Sequence, residues 1–318
     1  MWKVFFLNRD FVKENVRDES PKPNEVKVFP KYIGICGTDK NIYLGKKPVK
    51  EPIVLGHEIS GITEKGEKVV IFPNYWCGYC NNCRRGFYNS CKNKISIGVN
   101  ADGGMAEYIN VPKDFVFRIP DALDLKLGAL VEPTAVALAA VNKIEEEIGK
   151  VIILGGGSTG TLVSIVAEIN GLEAFIIEKD SRKEEILREK GFRVTKELRF
   201  DDRIAVIDTI NNQESILLAQ SILKNSVARS ELIISGLDDE QISLNRDIIV
   251  RNEIVIKGSI IYSRDDFLNS IKIVSENQEK FNKVVDKVGS INNINEWFRK
   301  YVIEQPNVKV LVKMDSIL

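Results

Sequence analysis

An α/β chain in two dissimilar parts is what this sequence predicts, and three observations predict it. Nine of its ten prolines lie at or before Pro133, and all five cysteines fall in the first third. After Pro133, apolar runs alternate with helix-forming stretches, and proline is absent until Pro306. Between the runs VIIL and TLVSIVAEIN stands a glycine-rich turn, GGGSTG. At 318 residues the chain is long for one core and comfortable for two domains.

The first part reads as short strands: WKVFFLN, EVKVFPKYI, EISGIT, KVVIFP, MAEYINV and FVFRIP. Glycine and proline between such short β-rich runs predict an irregular barrel or sandwich. TAVALAAVNKIEEEIG then has helix-forming composition and no breaker before Gly149. VIIL, the glycine turn and TLVSIVAEIN read strand, turn, helix. FIIEKD is a second strand, and SRKEEILREKG a helix that Gly191 ends. RIAVIDT, ELIISGL and EIVIKGSIIY supply further strands, so the second part reads as an open parallel sheet covered on both faces. Beyond about Tyr262 the chain is helical and then returns to a strand, VKVLVKM. The expected divisions are 1–133, 134–262 and 263–318.

Lys+Arg and Asp+Glu both number 45, so the net charge is zero and the electrostatic footprint of a nucleic-acid binder is missing. No apolar run approaches the length of a membrane span. The start, MWKVFFLNRD, is too short and too soon charged for a signal peptide. A cytoplasmic protein is expected.

Four cysteines, Cys77, Cys80, Cys83 and Cys91, follow the spacing C-x2-C-x2-C-x7-C. Four thiolates so close in sequence can surround a tetrahedral zinc of the closed, structural kind. Two disulfides would suit a short secreted chain, and an iron–sulfur cluster would accept the same ligands but suits the rest of the chain less well. Gly155, Gly157 and Gly160 form G-x-G-x-x-G directly after a strand and before a helix, with Ser158 and Thr159 between them. Those glycines allow a tight turn, close approach of backbone to a pyrophosphate, and close helix–strand packing. Backbone N–H groups at that helix start then face phosphate. Glu178 closes the next strand, where a carboxylate accepts the ribose hydroxyls of NAD and repels the 2′-phosphate of NADP. Lys179 and Arg182 would soften that preference, and the bland alternative for Glu178 is a solvated strand end. The fifth cysteine, Cys36 in GICGTD, and the sole histidine, His57 in LGHEISG, are bland on base rates, as a small hydrophobe and a core residue. Thr38, Asp39, Glu58 and Glu132 change that, because this set could serve a zinc that keeps an open position.

GICGTD, LGHEISG, the lobe at 77–91, ALVEP and GGGSTG together resemble the zinc-dependent medium-chain alcohol dehydrogenases over essentially the whole chain. ALVEP, with glutamate at the third ligand position, is most similar to the sorbitol, threonine and sugar dehydrogenase branches. The resemblance implies a GroES-like β-barrel catalytic domain and a Rossmann doubly wound parallel-sheet cofactor domain, with the active site in the cleft between them. The segment 263–318 would return to the catalytic domain. It implies two Zn2+ per chain and NAD, with Cys36, His57 and Glu132 on the catalytic zinc and Glu58 beside it, as ligand or in exchange. Asp39 would hydrogen-bond the far nitrogen of His57, and Thr38 would take the proton of the substrate hydroxyl. Zinc would acidify that hydroxyl and NAD would accept the hydride. The expected substrate is a small secondary alcohol, polyol or sugar; threonine 3-dehydrogenase and a catalytically inactive dinucleotide binder are the alternatives. A zinc-finger nucleic-acid binder is excluded by the missing histidines and net charge. Relatives imply a homo-oligomer, here a tetramer, pairing near EIVIKGSIIY, which is apolar for an exposed edge.

The chain departs from the family at four places. Asn41 stands where many relatives have a proton-relay histidine. IDTINN lacks the usual glycine, LKNSVARS replaces a Pro-Gly-Gly turn, and the stretch from Gly191 to Arg203 is short. Ile42, Tyr43 and Trp76 are candidates for the substrate cleft.

Overall fold

The computed structural model describes residues 1–236 and 241–314, so Leu237 of ELIISGL and residues 315–318 lie outside it. The β-rich N-terminal runs form β1 (Trp2–Leu7), β2 (Asp10–Asn15), β3 (Glu25–Ile35), β4 (Ile53–Val54), β5 (Glu58–Thr63), β6 (Lys68–Ile71), β7 (Asn74–Tyr75), β8 (Ile95–Ser96), β9 (Ile109–Pro112) and β10 (Val116–Arg118). β1 and β2 pair through a two-residue turn, Asn8-Arg9, whose φ values of 52° and 63° are those a tight hairpin needs. Alternation along β1 puts Trp2, Val4 and Phe6 into a core shared with Ile33 and Ile35 of β3.

The second unit holds β11 (Lys150–Leu154), β12 (Glu173–Ile177), β13 (Ile204–Asp208), β14 (Glu231–Ser235) and β15 (Val255–Ser259). All are parallel, in the order β12-β11-β13-β14-β15. β13 is buried along its whole length, as a strand covered on both faces must be. Helices Ser158–Ile169, Ser181–Glu189, Gln213–Lys224 and Arg246–Arg251 make the crossovers. A doubly wound dinucleotide fold commonly has a sixth strand outside β12. Here the short stretch after Gly191 supplies a single bridge, Ile176 to Val194, with bonds from Ile176 N to Arg193 O (2.8 Å) and Thr195 N to Ile176 O (2.9 Å). Strand order reverses at β11, which places the glycine turn at the topological switch point.

The chain ends with β16 (Val285–Ser290) and β17 (Lys309–Lys313). The large sheet of the first unit runs β10-β6-β5-β3-β17-β16, with β9 also on β3. The C-terminal strand therefore completes the N-terminal sheet, with Val310 opposite Ile35. Two compact units result: Met1–Glu132 with the described part of Phe267–Leu318, and Pro133–Asp266. Among the described residues no helix is long and apolar enough to cross a membrane.

Two of the altered loops have local explanations. Asn211 of IDTINN sits at φ 64°, a left-handed conformation that asparagine tolerates better than most residues, so glycine is not required. Asp208 accepts from the backbone N–H of Ile210 (3.0 Å) and from the Ser215 hydroxyl (2.9 Å), which pins that loop to the next helix. In LKNSVARS, Ser230 Oγ donates to Val227 O (2.7 Å) and accepts from Ile204 N (3.0 Å), doing with a serine what a rigid turn would do.

Candidate active site

Between β7 and β8 the chain loops out around its four clustered cysteines. Their sulfurs all lie within 4.8 Å of one another, at 3.5 Å for Cys80–Cys83 and 3.9 Å for Cys77–Cys83. These are separations of free thiols, well beyond the ~2.05 Å of a disulfide. Backbone N–H groups converge on the same sulfurs: Cys77 N donates to Cys91 Sγ (3.3 Å) and Cys80 N to Cys77 Sγ (3.4 Å). The N–H groups of Cys83 and Lys92 bring the Cys80 thiol down to about 6. Burial, then its sulfur neighbours, pushes Cys83 up to about 12. Four sulfurs so crowded cannot all ionise without a cation among them, and four such donors fit zinc.

The second cluster is built from chain turns at the edge of the large sheet. Cys36 directly follows β3 and caps the short helix Gly37–Tyr43: its Sγ accepts from Thr38 N (3.0 Å), while Asp39 Oδ2 accepts from Cys36 N (2.9 Å). His57 immediately precedes β5, whose first residue is Glu58. Glu132 lies in the first turn of helix Val131–Val141, where a carboxylate is favoured by the helix dipole. Asp39, Glu58 and Glu132 are 0%, 1% and 8% exposed, a burial that isolated carboxylates do not tolerate. The candidate ligand atoms fall into two triads of 4.8 Å span, Cys36–Asp39–His57 and His57–Glu58–Glu132, with His57 common to both. His57 Nδ1 faces Asp39 Oδ1 at 3.9 Å, beyond hydrogen-bond range, and neither buried atom has a hydrogen-bond partner among the described residues. Sulfur, imidazole and carboxylate donors converging on orphaned buried atoms fit a divalent metal with room for a further ligand.

Burial, the largest single influence, would lower His57 below its ordinary 6.5, but Cys36, Asp39 and Glu132 together outweigh it, and the imidazole is held well above that value. In the metal-free protein this stabilises the fold at low pH, and the contribution is lost as pH rises through the raised folded-state value. Metal needs the neutral imidazole, so protons compete with it. Zinc affinity of this site is therefore expected to rise about tenfold per pH unit from His57 alone across the range below its folded-state value. Competition titrations with a chromophoric chelator at several pH values would show it; an affinity indifferent to pH would contradict it.

In the second unit, Gly155 turns at φ +98°. A Cβ on Gly160 would stand 1.9 Å from Gly155 O, so the helix approaches the turn as closely as glycine permits. Helix Ser158–Ile169 begins from Gly157 without a side-chain cap, and Ser158 Oγ is buried with no hydrogen-bond partner among the described residues. The backbone N–H groups of Ser158 and Thr159 are thus those of an uncapped helix start. Glu178 is no solvated strand end: it accepts from Gly156 N (2.9 Å) and Asp180 N (3.0 Å), tying β12 to the glycine turn. Lys179 and Arg182, the two cations expected to soften its charge, are engaged with Glu214 (2.8 Å) and Asp180 (3.5 Å), while Lys183 stands 4.0 Å from Glu178 itself.

Known proteins fit the same description. Residues 22–121 match the family model for the alcohol dehydrogenase GroES-like domain. A 2-dehydro-3-deoxy-L-galactonate 5-dehydrogenase of Pseudoalteromonas atlantica is 28% identical over 319 residues, 93% of this chain and 94% of that protein. Sorbitol dehydrogenase of Bacillus subtilis is 30% identical over 268 residues, 76% of each chain. The chain belongs to the zinc-dependent medium-chain alcohol dehydrogenase family. Among solved structures, galactitol-1-phosphate dehydrogenase from Escherichia coli superposes with a TM-score of 0.88 at 25% identity, covering 98% of this chain and 100% of that one. As a member of the medium-chain alcohol dehydrogenases, the protein is a zinc-dependent oxidoreductase that converts an alcohol to a carbonyl compound.

The three residues expected in the substrate cleft differ in their packing. Ile42 is 3% exposed in the core, Tyr43 lies against Phe11 and Phe298, and Trp76 meets Phe72 and Phe115 edge-on. Sequence reading also missed two residues beside the histidine cluster. Lys309 is buried and ion-paired to Glu58. Gly34 has no room for a side chain, since a Cβ there would lie 1.8 Å from Glu58 Oε2. The available signal was a lysine opening the strand KVLVK ahead of its apolar middle.

Proposed function

We propose that this dehydrogenase oxidises a secondary hydroxyl of a polyol, a sugar or a related hydroxy compound to the ketone with NAD, and that it carries two zinc ions. One observation carries the proposal: the sole histidine lies buried between a cysteine and three acids, in overlapping triads of donor atoms. Cys36, His57 and Glu132 would hold the catalytic zinc, and Cys77, Cys80, Cys83 and Cys91 the structural one. Zinc when bound supplies Lewis acidity, which makes a substrate hydroxyl easier to deprotonate. NAD supplies the hydride acceptor, seated on Gly155, Gly157, Ser158, Thr159 and Gly160. Thr38 accepts the hydroxyl proton, and Asp39 holds the Cys36 turn through the backbone N–H of Cys36. With Asn41 in the helix and the one histidine committed, that proton passes from Thr38 without an imidazole relay.

Glu178 sets the cofactor preference. What supports this is a carboxylate held by two backbone N–H groups beside the glycine turn, whose charge would repel the 2′-phosphate of NADP. NAD is expected to exceed NADP in kcat/KM by at least about tenfold, or 1.4 kcal/mol, and Glu178→Gln to narrow the ratio. Steady-state kinetics with both cofactors would check this, and a preference for NADP would overturn it. The chain also forms homo-oligomers, a tetramer by our reading, through the outer edge of β15, where Ile256 is 37% exposed at the end of the sheet order. Its free thiols suit a reducing cytoplasm. The decisive functional test is a screen of polyols, aldoses, simple secondary alcohols and threonine for NADH production. Turnover confined to polyols or sugars supports the assignment; turnover of threonine alone, or of nothing, overturns it.

A further inference from the structure

A cleft of about 290 Å³ opens in the first unit between the β1–β2 hairpin and the chain that follows β16, and no candidate metal ligand lines it. One wall is a single face of the hairpin. Val4 pairs with Lys13 and Phe6 with Phe11, so Val4, Phe11 and Lys13 share the face that carries Trp2 and Phe6. The other wall is the turn Ile291–Asn293 and the start of the short helix Ile294–Phe298. Asn295 ties the two together: its Oδ1 accepts from Phe11 N (2.8 Å) and its Nδ2 donates to Phe11 O (2.9 Å), as a neighbouring strand would. Phe11 is backed by Tyr43 (6.2 Å, 18° between rings) and Phe298 (5.1 Å), so that wall is fixed before any ligand arrives. Lys13 is the anomaly, an exposed charge on a face that otherwise feeds the core. Its Nζ lies 4.3 Å from the Trp2 ring and donates to Asn292 Oδ1 at 3.3 Å, which leaves N–H donors to spare.

The lining divides by chemistry. Val4, Phe11, Ile291 and Ile294 are at most 5% exposed and supply its apolar part. Asn293 and Glu296 are exposed, and their side chains hydrogen-bond to no described residue. The lysine only donates, the carboxylate only accepts, and the Asn293 amide does both. Hydroxyl groups, which donate and accept at once, are the complement of that set. An anion would meet Glu296, a cation would meet Lys13, and an apolar molecule would strand all three. We propose that this cleft is a second, non-catalytic binding site for one neutral polyhydroxylated molecule, a polyol or a monosaccharide. Its C–H groups would lie on the apolar part while its hydroxyls replace the bonds of displaced water. The volume, about 290 Å³, stands at the small end of ligand pockets, which start near 300 Å³. That is room for a single sugar-sized molecule and too little for a dinucleotide.

Val4, Ile291 and Ile294 place methyl groups in the lining, so methyl NMR of the zinc-loaded protein, labelled at isoleucine and valine, reads the site where it stands. Titrated with sorbitol, and separately with glucose, these three signals are expected to move together with at least one of the two. A ligand of about a dozen heavy atoms in so open a cleft should show a Kd of about 1–10 mM. The same shifts should appear in His57→Ala, because the cleft needs neither zinc nor NAD, so a failed zinc assignment would leave them untouched. Asn293→Ala combined with Glu296→Ala, two exposed changes that spare the fold, should weaken binding by at least about tenfold. Inorganic phosphate and cyclohexanol should leave the three methyls where they are. Methyls that stay still with both sorbitol and glucose, or that respond equally in the double variant, overturn the inference. So does a response to phosphate or cyclohexanol as strong as that to the hydroxylated probes.

Discussion

His57→Ala should leave a folded protein that binds one zinc per chain instead of two and has lost essentially all NAD-dependent turnover. The side chain is shared by both donor triads, so no alternative trio of Cys36, Glu58 and Glu132 keeps an imidazole. The chain has no second histidine to substitute. Acidifying a hydroxyl from ~15.7 towards ~7, as zinc does to water, is worth several kcal/mol of barrier. At 1.36 kcal/mol per tenfold, turnover should fall by about 10^4 or more. The fold should survive, because β5 is held by its pairing with β3 and β6 and not by the imidazole. Metal analysis alongside stopped-time assays measures both quantities. A variant with two zincs, or within about tenfold of wild-type turnover, would remove His57 from the site.

Cys83→Ser should give the complementary result: one zinc per chain, a large loss of thermal stability, and turnover near wild type at low temperature. Cys83 is 3% exposed and its sulfur lies nearest those of Cys80 and Cys77. The loop around it, with exposed Tyr79, Phe87 and Tyr88, has little core of its own. Its order therefore depends on the metal, and metal binding is then folding free energy. An ion at about 1,000 times its dissociation constant stabilises by ~4.1 kcal/mol. At about 2–4 °C per kcal/mol for a domain of this size, the Tm should drop by roughly 8–16 °C. Calorimetry with and without added zinc checks this, and an unchanged Tm would make the lobe's metal incidental.

The two variants divide the molecule as the sequence does, and the division explains what could be read from it. The candidate metal-holding clusters were legible because each member sits in a short motif: four cysteines within fifteen residues, GICGTD, LGHEISG and ALVEP. The glycine turn was legible because its chemistry is local, a strand, a turn and a helix in one continuous run. Lys309 was not, because its partners lie far back in the chain, Ile35 at a separation of 274 residues, and meet it only when β17 joins β3. Gly34 was hidden for the same reason: its need for an absent side chain arises from a carboxylate on a neighbouring strand. That IDTINN tolerates the loss of the usual glycine was not visible in the pattern, which records residue type, whereas the turn requires a φ that Asn211 also reaches.

Anomalous diffraction from crystals of the purified protein, recorded at the zinc absorption edge, tests the central claim most directly. Two peaks are expected, one among the four lobe sulfurs and one touching Cys36, His57 and Glu132. A peak in the lobe alone, with His57 bound to nothing, would contradict the assignment of this site as the seat of alcohol oxidation.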